Sequence, residues 1–114
     1  MKLDTKRKAV RQGDVLVLPI TALPPKTLPV QPENGRLVLA HGEATGHHHS
    51  FAFSERVALF REDGGGGGLF GSVTGHAAEP LEHQEHAALP VSPGPIAVIR
   101  QRTYVASIAR RVAD

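Results

Sequence analysis

The chain has 114 residues with seven histidines and neither cysteine nor tryptophan, which excludes disulfides, thiolate metal sites and cysteine nucleophiles and leaves imidazole as the distinctive chemical group. At 40% apolar and 4% aromatic content, the core must be filled largely by small aliphatic side chains. The net charge of +2 is unevenly spread, with +4 over residues 1–11, −5 over 12–99 and +3 over 100–114, so basic ends flank an acidic, histidine-bearing middle.

Residues 1–11 are expected to be a basic, solvated N-terminal tail, and residues 12–114 a single β-rich domain. No run approaches the roughly 18 apolar residues of a membrane-spanning helix, and no apolar stretch after the basic start suits a signal peptide. A cytoplasmic protein with no membrane partner is therefore expected.

The first strand falls on Asp14 to Ile20, a β-branched and aliphatic run that Pro19 confines to a strand end or edge. Residues 22–35 hold four prolines and predict an extended connection ending in the turn Asn34-Gly35. Arg36 to Ala40 is the second strand. Alternation through His47 to Phe53 places His47, His49, Phe51 and Phe53 on one face and His48 on the other. Val57 to Phe60 is a further short strand.

The five glycines Gly64 to Gly68 cannot support regular structure and predict a mobile loop tip, without the lysine that a phosphate-binding loop requires. Leu69 to Thr74 reads as a strand weakened by Gly71. Residues 75–80 read as a turn, and Leu81 to Leu89 as either a helical turn or an irregular loop bracketed by Pro80 and Pro90. Ile96 to Arg100 is a strand that Arg102 to Ala106 continues or pairs with. The spacing of Val105, Ile108, Ala109 and Val112 predicts a short C-terminal helix. These elements describe a mainly β fold, a small barrel or sandwich.

Six of the seven histidines lie in His41-Gly-Glu-Ala-Thr-Gly-His-His-His49 and His83-Gln-Glu-His86. Imidazole nitrogens suit a divalent transition metal such as zinc, nickel, iron or manganese, and His47, His49, His83 and His86 are the expected ligands. His47 and His49 would project together from a strand, and His83 and His86 would converge if their segment turns. Glu43 and Glu85 are the candidate catalytic carboxylates, acting as ligand, as a partner that fixes a histidine tautomer, or as general base. The plainer alternative is a functionless surface cluster. His76 reads as a surface turn residue, and His41 as an accessory.

The order Gln12-Gly-Asp-Val15, Gly42-Glu-Ala-Thr-Gly-His-His-His49, Leu81-Glu-His-Gln-Glu-His86, Pro93-Gly94 and Arg100-Gln-Arg-Thr-Tyr104 resembles a family of small uncharacterised bacterial and phage-borne proteins. The resemblance implies that Glu43, Thr45, Gly46, His47, His49, His83, Glu85, His86, Gln101 and Tyr104 belong to a recurring pattern. Thr103 stands where that pattern tends to carry an acidic residue. A looser similarity is to cupins, whose barrels carry an H-x-H strand motif, although Glu55 lies farther past His49 than their usual glutamate.

The leading expectation is a metal-dependent hydrolase of a small-molecule ester or phosphoester, with Thr45, Arg100, Gln101, Arg102 and Tyr104 as candidate substrate contacts. A metal-independent, RNase-like phosphodiesterase would use two histidines as general acid and base, with Arg100 or Arg102 stabilising the transition state. A third expectation is a non-catalytic module whose basic termini contact RNA or a protein. Exposed strand edges would suit a homo-oligomer.

Overall fold

Turn-forming residues separate short aliphatic runs along the chain, and these runs pair as strands. The computed structural model describes residues 1–42, 46–64 and 67–101, together with the strand residues 104–105 and 108–109. In chain order the strands are β1 (Val10–Gln12), β2 (Val15–Pro19), β3 (Thr27–Pro29), β4 (Arg36–His41), β5 (His48–Ala52), β6 (Val57–Glu62), β7 (Leu69–Val73), β8 (Glu79–Leu81), β9 (Leu89–Val91), β10 (Gly94–Arg100), β11 (Tyr104–Val105) and β12 (Ile108–Ala109). No helix occurs among the described residues, and none of these elements is a helix long and apolar enough to cross a membrane.

Six strands form an antiparallel sheet in the order β1-β2-β10-β7-β6-β3. Its outer strands do not pair with each other, so the sheet is open and the barrel alternative is not realised. Edge strand β3 ends in Pro29, in keeping with the restriction of proline to positions that need no ladder donor.

Hairpin β4–β5 and pair β8–β9 share one core with this sheet. Val15, Val17, Leu59, Val73 and Ile96 from the sheet pack with Leu37, Leu39, Phe51, Leu81 and Val91 from the pairs. The opposite sheet face carries a smaller cluster of Ile20, Phe70 and Ala97. Burial of these aliphatic faces is the main favourable term in folding. A two-stranded bridge joins the hairpins, with Ser50 N–H donating to Glu82 O at 3.0 Å and Glu82 N–H to Ser50 O at 2.9 Å.

Asn34 and Gly35 adopt φ of 50° and 76°, the mirror-image turn in which both central residues are left-handed. Glu33 and Arg36 close it with reciprocal backbone bonds of 2.7 and 2.9 Å. In β4, Leu39 is skipped by the register, since Val38 pairs with Ser50 and Ala40 with His49. This bulge bends the strand locally and allows Leu37 to Ala40 to be buried consecutively. The expected alternation is kept for His49 and Phe51, both fully buried, but ends before Phe53, which is 59% exposed.

Residues 82–88 form a loop between β8 and β9, so the loop alternative is realised and the helical one is not. Pro80 and Pro90 stand opposite each other, a pairing that suits a position where neither N–H would face the partner strand. The C-terminal helix is not supported either. Within its span, β11 and β12 pair antiparallel, while residues 102–103, 106–107 and 110–114 lie outside the described residues.

Several residues of the basic start contact the sheet. Leu3 bridges Ile20, and Arg7 donates to Asp4 Oδ2, Pro93 O, Ile20 O and Pro95 O over 2.6–3.1 Å. Planar guanidinium geometry lets one side chain join three backbone segments.

Gly71 is not merely a weak point in β7. A Cβ there would stand 2.9 Å from Leu59 Cδ2 and 3.0 Å from the Ala58 carbonyl oxygen, and backbone cannot swing aside as a side-chain tip can. Gly71→Ala is expected to destabilise the protein by about 1–3 kcal/mol through overpacking. Urea unfolding of the variant beside the native chain measures the change.

Candidate functional site

The site begins with two polar residues that the β1–β2 turn draws into the core. Gln12 and Asp14 are each 2% exposed. Gln12 Nε2 donates to Leu81 O and Ala87 O, both at 2.9 Å. Those two acceptors fix the orientation of the amide, so Gln12 Oε1 is the atom that meets His49 Nδ1 at 2.8 Å. An amide oxygen only accepts, and His49 therefore carries its proton on Nδ1.

His49 Nε2 faces Asp14 Oδ1 at 3.5 Å. The other carboxylate oxygen of Asp14 accepts from Arg100 Nε at 2.7 Å, and Asp14 O accepts from Gln101 N–H at 2.6 Å. Arg100 thus compensates a carboxylate that could not remain ionised alone in the core.

The loop of residues 82–88 lays His83 and His86 against His49. Ring centroids are 4.4 Å apart for His49 and His83, 4.5 Å for His83 and His86, and 5.9 Å for His49 and His86. His47 lies 5.5 Å from His83 by the same measure, and its Nδ1 is 3.6 Å from Glu85 Oε1. The two histidine clusters meet in space.

His83 has a defined tautomer. Its Nδ1 accepts the backbone N–H of Glu85 at 3.0 Å and of His86 at 3.3 Å, which places the proton of the neutral ring on Nε2. As they stand, no three His, Asp or Glu side chains among the described residues form a ready metal-holding group.

The remaining candidates are dispersed. Arg100 is held by Asp14 rather than directed freely at a substrate, and Gln101 contacts Asp14 through its backbone. Tyr104 belongs to β11, while Glu43, Thr45 and Arg102 lie outside the described residues. His41 forms an exposed pair with Glu33 at 3.2 Å, and His76 is exposed in the turn before β8. Glu55 is exposed between β5 and β6, and with no closed barrel the cupin analogy finds no support.

Sequence reasoning assigned no role to Gln12 and Asp14. Their signals are a Gln-Gly-Asp turn abutting an apolar strand and the place of Gln12-Gly-Asp-Val15 in the family resemblance.

His48, on the other face of β5, bonds to Ser50 Oγ at 3.0 Å and to Gln84 Nε2 at 3.1 Å. Its pKa is lowered from the usual 6.5, first by burial, then by Arg36 and His41, with an opposing influence of Glu33 and a smaller further lowering by His49.

Comparison with known proteins matches residues 11–101 to the model of a domain of unknown function, DUF8820. No curated protein and no solved structure matches.

Two expectations follow from this geometry. Gln12→Met would strand two carbonyls and the His49 N–H, and is expected to cost roughly 2–4 kcal/mol in urea unfolding. Because the folded chain holds the His48 proton less tightly than the unfolded one, stability should rise with pH from the lowered folded pKa up to about 6.5 and fall on acidification through that window. Urea midpoints measured across the window, with His48→Gln showing a smaller pH difference, check the sign.

Proposed function

The chain belongs to the DUF8820 family, a domain of unknown function, so the site itself must carry the assignment, and we propose that it binds a divalent transition metal and hydrolyses an ester or phosphoester. The supporting observation is the 3.5 Å separation of His49 Nε2 from Asp14 Oδ1. It is long for a hydrogen bond, yet close to the roughly 3.4 Å between two ligands bound tetrahedrally to one ion at about 2.1 Å.

His49 Nε2 and Asp14 Oδ1 are the first two ligands in this reading. His86 supplies the third after rotation of its ring, with His47 within reach of the same cluster. Gln12 acts as the outer partner that holds the His49 tautomer, and Arg100 orients the carboxylate. His83, with its proton on Nε2, serves as a hydrogen-bond donor rather than a ligand. Glu85, near His47, and Glu43 remain the candidate general bases. Zinc, nickel, iron or manganese would suit this nitrogen and oxygen set, and the bound ion would lower the pKa of a water nucleophile.

One observation favours a metal-free reading. An N–H donor on His83 and an acceptor nitrogen on His49 lie in adjacent rings, which are the parts needed for general acid and base catalysis near neutral pH.

Metal analysis of untagged protein distinguishes the two. The metal reading expects close to one equivalent, reduced by Asp14→Asn and by His86→Ala but retained in His83→Ala. Chelation should lower the melting temperature and abolish cleavage of p-nitrophenyl acetate or bis-p-nitrophenyl phosphate, since a ligand present at about 100 times its Kd adds about 2.7 kcal/mol of stability. Metal-free protein whose cleavage survives chelator and depends on His49 and His83 would overturn the metal reading in favour of the second.

A further inference from the structure

The inward face of the six-stranded sheet ends in a cleft with an aliphatic floor and cationic sides. Val57 and Leu59 of β6 are buried in the core, and strand alternation puts Arg61 on the same face. Arg61 stands opposite Leu69 of β7, and Leu69 opposite Val98 of β10. Arg100 follows Val98 on that face two residues later. The two arginines line a common cavity of about 350 Å3 with Leu39, Leu69 and Val98. Leu39 and Leu69 belong to the main core and Val98 packs against it, so the cleft is a place where that core reaches the surface. Gly67 and Gly68 also line it and bring no side chain.

The charge of this cleft is not cancelled. Ion pairs among the described residues engage Arg7, Arg36, Arg56 and Arg100, and Arg61 is in none of them. Arg61 is exposed, so its guanidinium can be reached from solvent. The bond from Arg100 to Asp14 uses Nε, and with a side chain 24% exposed its two Nη atoms remain for a ligand. No acidic residue lines the cavity among the described residues. Glu62, next to Arg61 in the chain, lines a different cavity with Phe70. Asp14 therefore offsets Arg100, and the charge of Arg61 is left over.

We propose that the cleft binds a carboxylate carrying an aliphatic chain, with the chain on Leu39, Leu69 and Val98 and the head between Arg61 and Arg100. An exposed arginine alone would be a solvated strand end. Here it stands beside apolar side chains, whose removal from water is favourable. The floor is aliphatic and offers no aromatic ring, which favours a chain over a base that would stack. A planar carboxylate matches the guanidinium fork, and its single charge balances the one left over. The argument uses no metal and does not rest on the hydrolase reading.

The test follows the methyl groups of Leu39, Leu69 and Val98 in the full chain by NMR while sodium hexanoate, sodium acetate and 1-hexanol are titrated separately. Hexanoate is expected to give saturable shifts at those methyls, and no saturation, or shifts confined to other residues, refutes the site. Acetate keeps the head without the chain and should bind at least about ten-fold more weakly, because each methylene taken from water is worth roughly four-fold. The uncharged 1-hexanol should also bind about ten-fold more weakly, for want of a charge-assisted hydrogen bond. Acetate binding as tightly as hexanoate would leave a general anion patch, and 1-hexanol doing so would leave an apolar crevice; either result overturns the proposal.

Arg61→Gln should fold, because the side chain is exposed, and its hexanoate affinity should fall by about ten-fold on the same ground. Unchanged affinity contradicts the proposal. Lys8→Gln removes a charge just before β1, at the edge of the sheet away from β6. Its affinity should match that of the native chain, and a loss equal to that of Arg61→Gln would mean that net charge alone attracts the ligand, which also defeats the site.

Discussion

The carboxamide of Gln12 is buried where β1, β5 and the loop of residues 82–88 meet, and its bonds allow it one orientation. Its NH2 group takes Leu81 O and Ala87 O, which bracket the segment carrying His83 and His86. Its oxygen takes His49 Nδ1. One side chain thus anchors the loop near both ends and sets the tautomer of the histidine under it. A buried amide with unmade bonds would be costly, so the loop and β5 are held in a common frame.

A second constraint is electrostatic. Asp14 is buried at the β1–β2 turn and Arg100 closes over it from the end of β10. Pairing two charges at low exposure is weakly stabilising at best, because desolvation offsets the attraction. What the pair supplies is placement. It holds one carboxylate oxygen toward Arg100 and leaves the other facing His49, where the start of β2 pairs with the end of β10.

Three imidazoles of the same composition are differentiated by what surrounds them. His49 holds its proton on Nδ1 because it meets an amide oxygen, and His83 holds it on Nε2 because two backbone N–H groups point at Nδ1. His48 holds it on Nδ1 because an amide NH2 group faces Nε2. A small protein thereby gives chemically equivalent side chains different capacities to donate and accept, with neighbours only a few residues away or across a strand pair.

The strands were legible because aliphatic runs alternate with turn residues, and the pattern specifies pairing surfaces locally. Val15 and Val17, the Asn34-Gly35 turn, and the inward pair His49 and Phe51 all follow from short-range rules. So did the choice of four histidines as a group, since H-x-H and H-x-x-H spacing is a local property. At the C-terminus the apolar spacing that suits a helix is overridden by a local pairing of β11 with β12. The bulge at Leu39 and the opposition of Pro80 to Pro90 were not legible, because each depends on the register of a partner strand. Gln12 and Asp14, although part of the Gln12-Gly-Asp-Val15 motif, were given no place in the site for the same reason. Polar residues beside a turn read as solvated until the fold removes water from them, and only packing of β5 and the 82–88 loop over that turn does so. The sequence by itself determined a mainly β scaffold carrying histidines at spacings that group them. Which nitrogen of His48 and of His49 carries the proton, and which carboxylate stands beside His49, was decided by tertiary contacts, because a proton's position follows the nearest donor or acceptor in space, which only for His83 is also near in the chain.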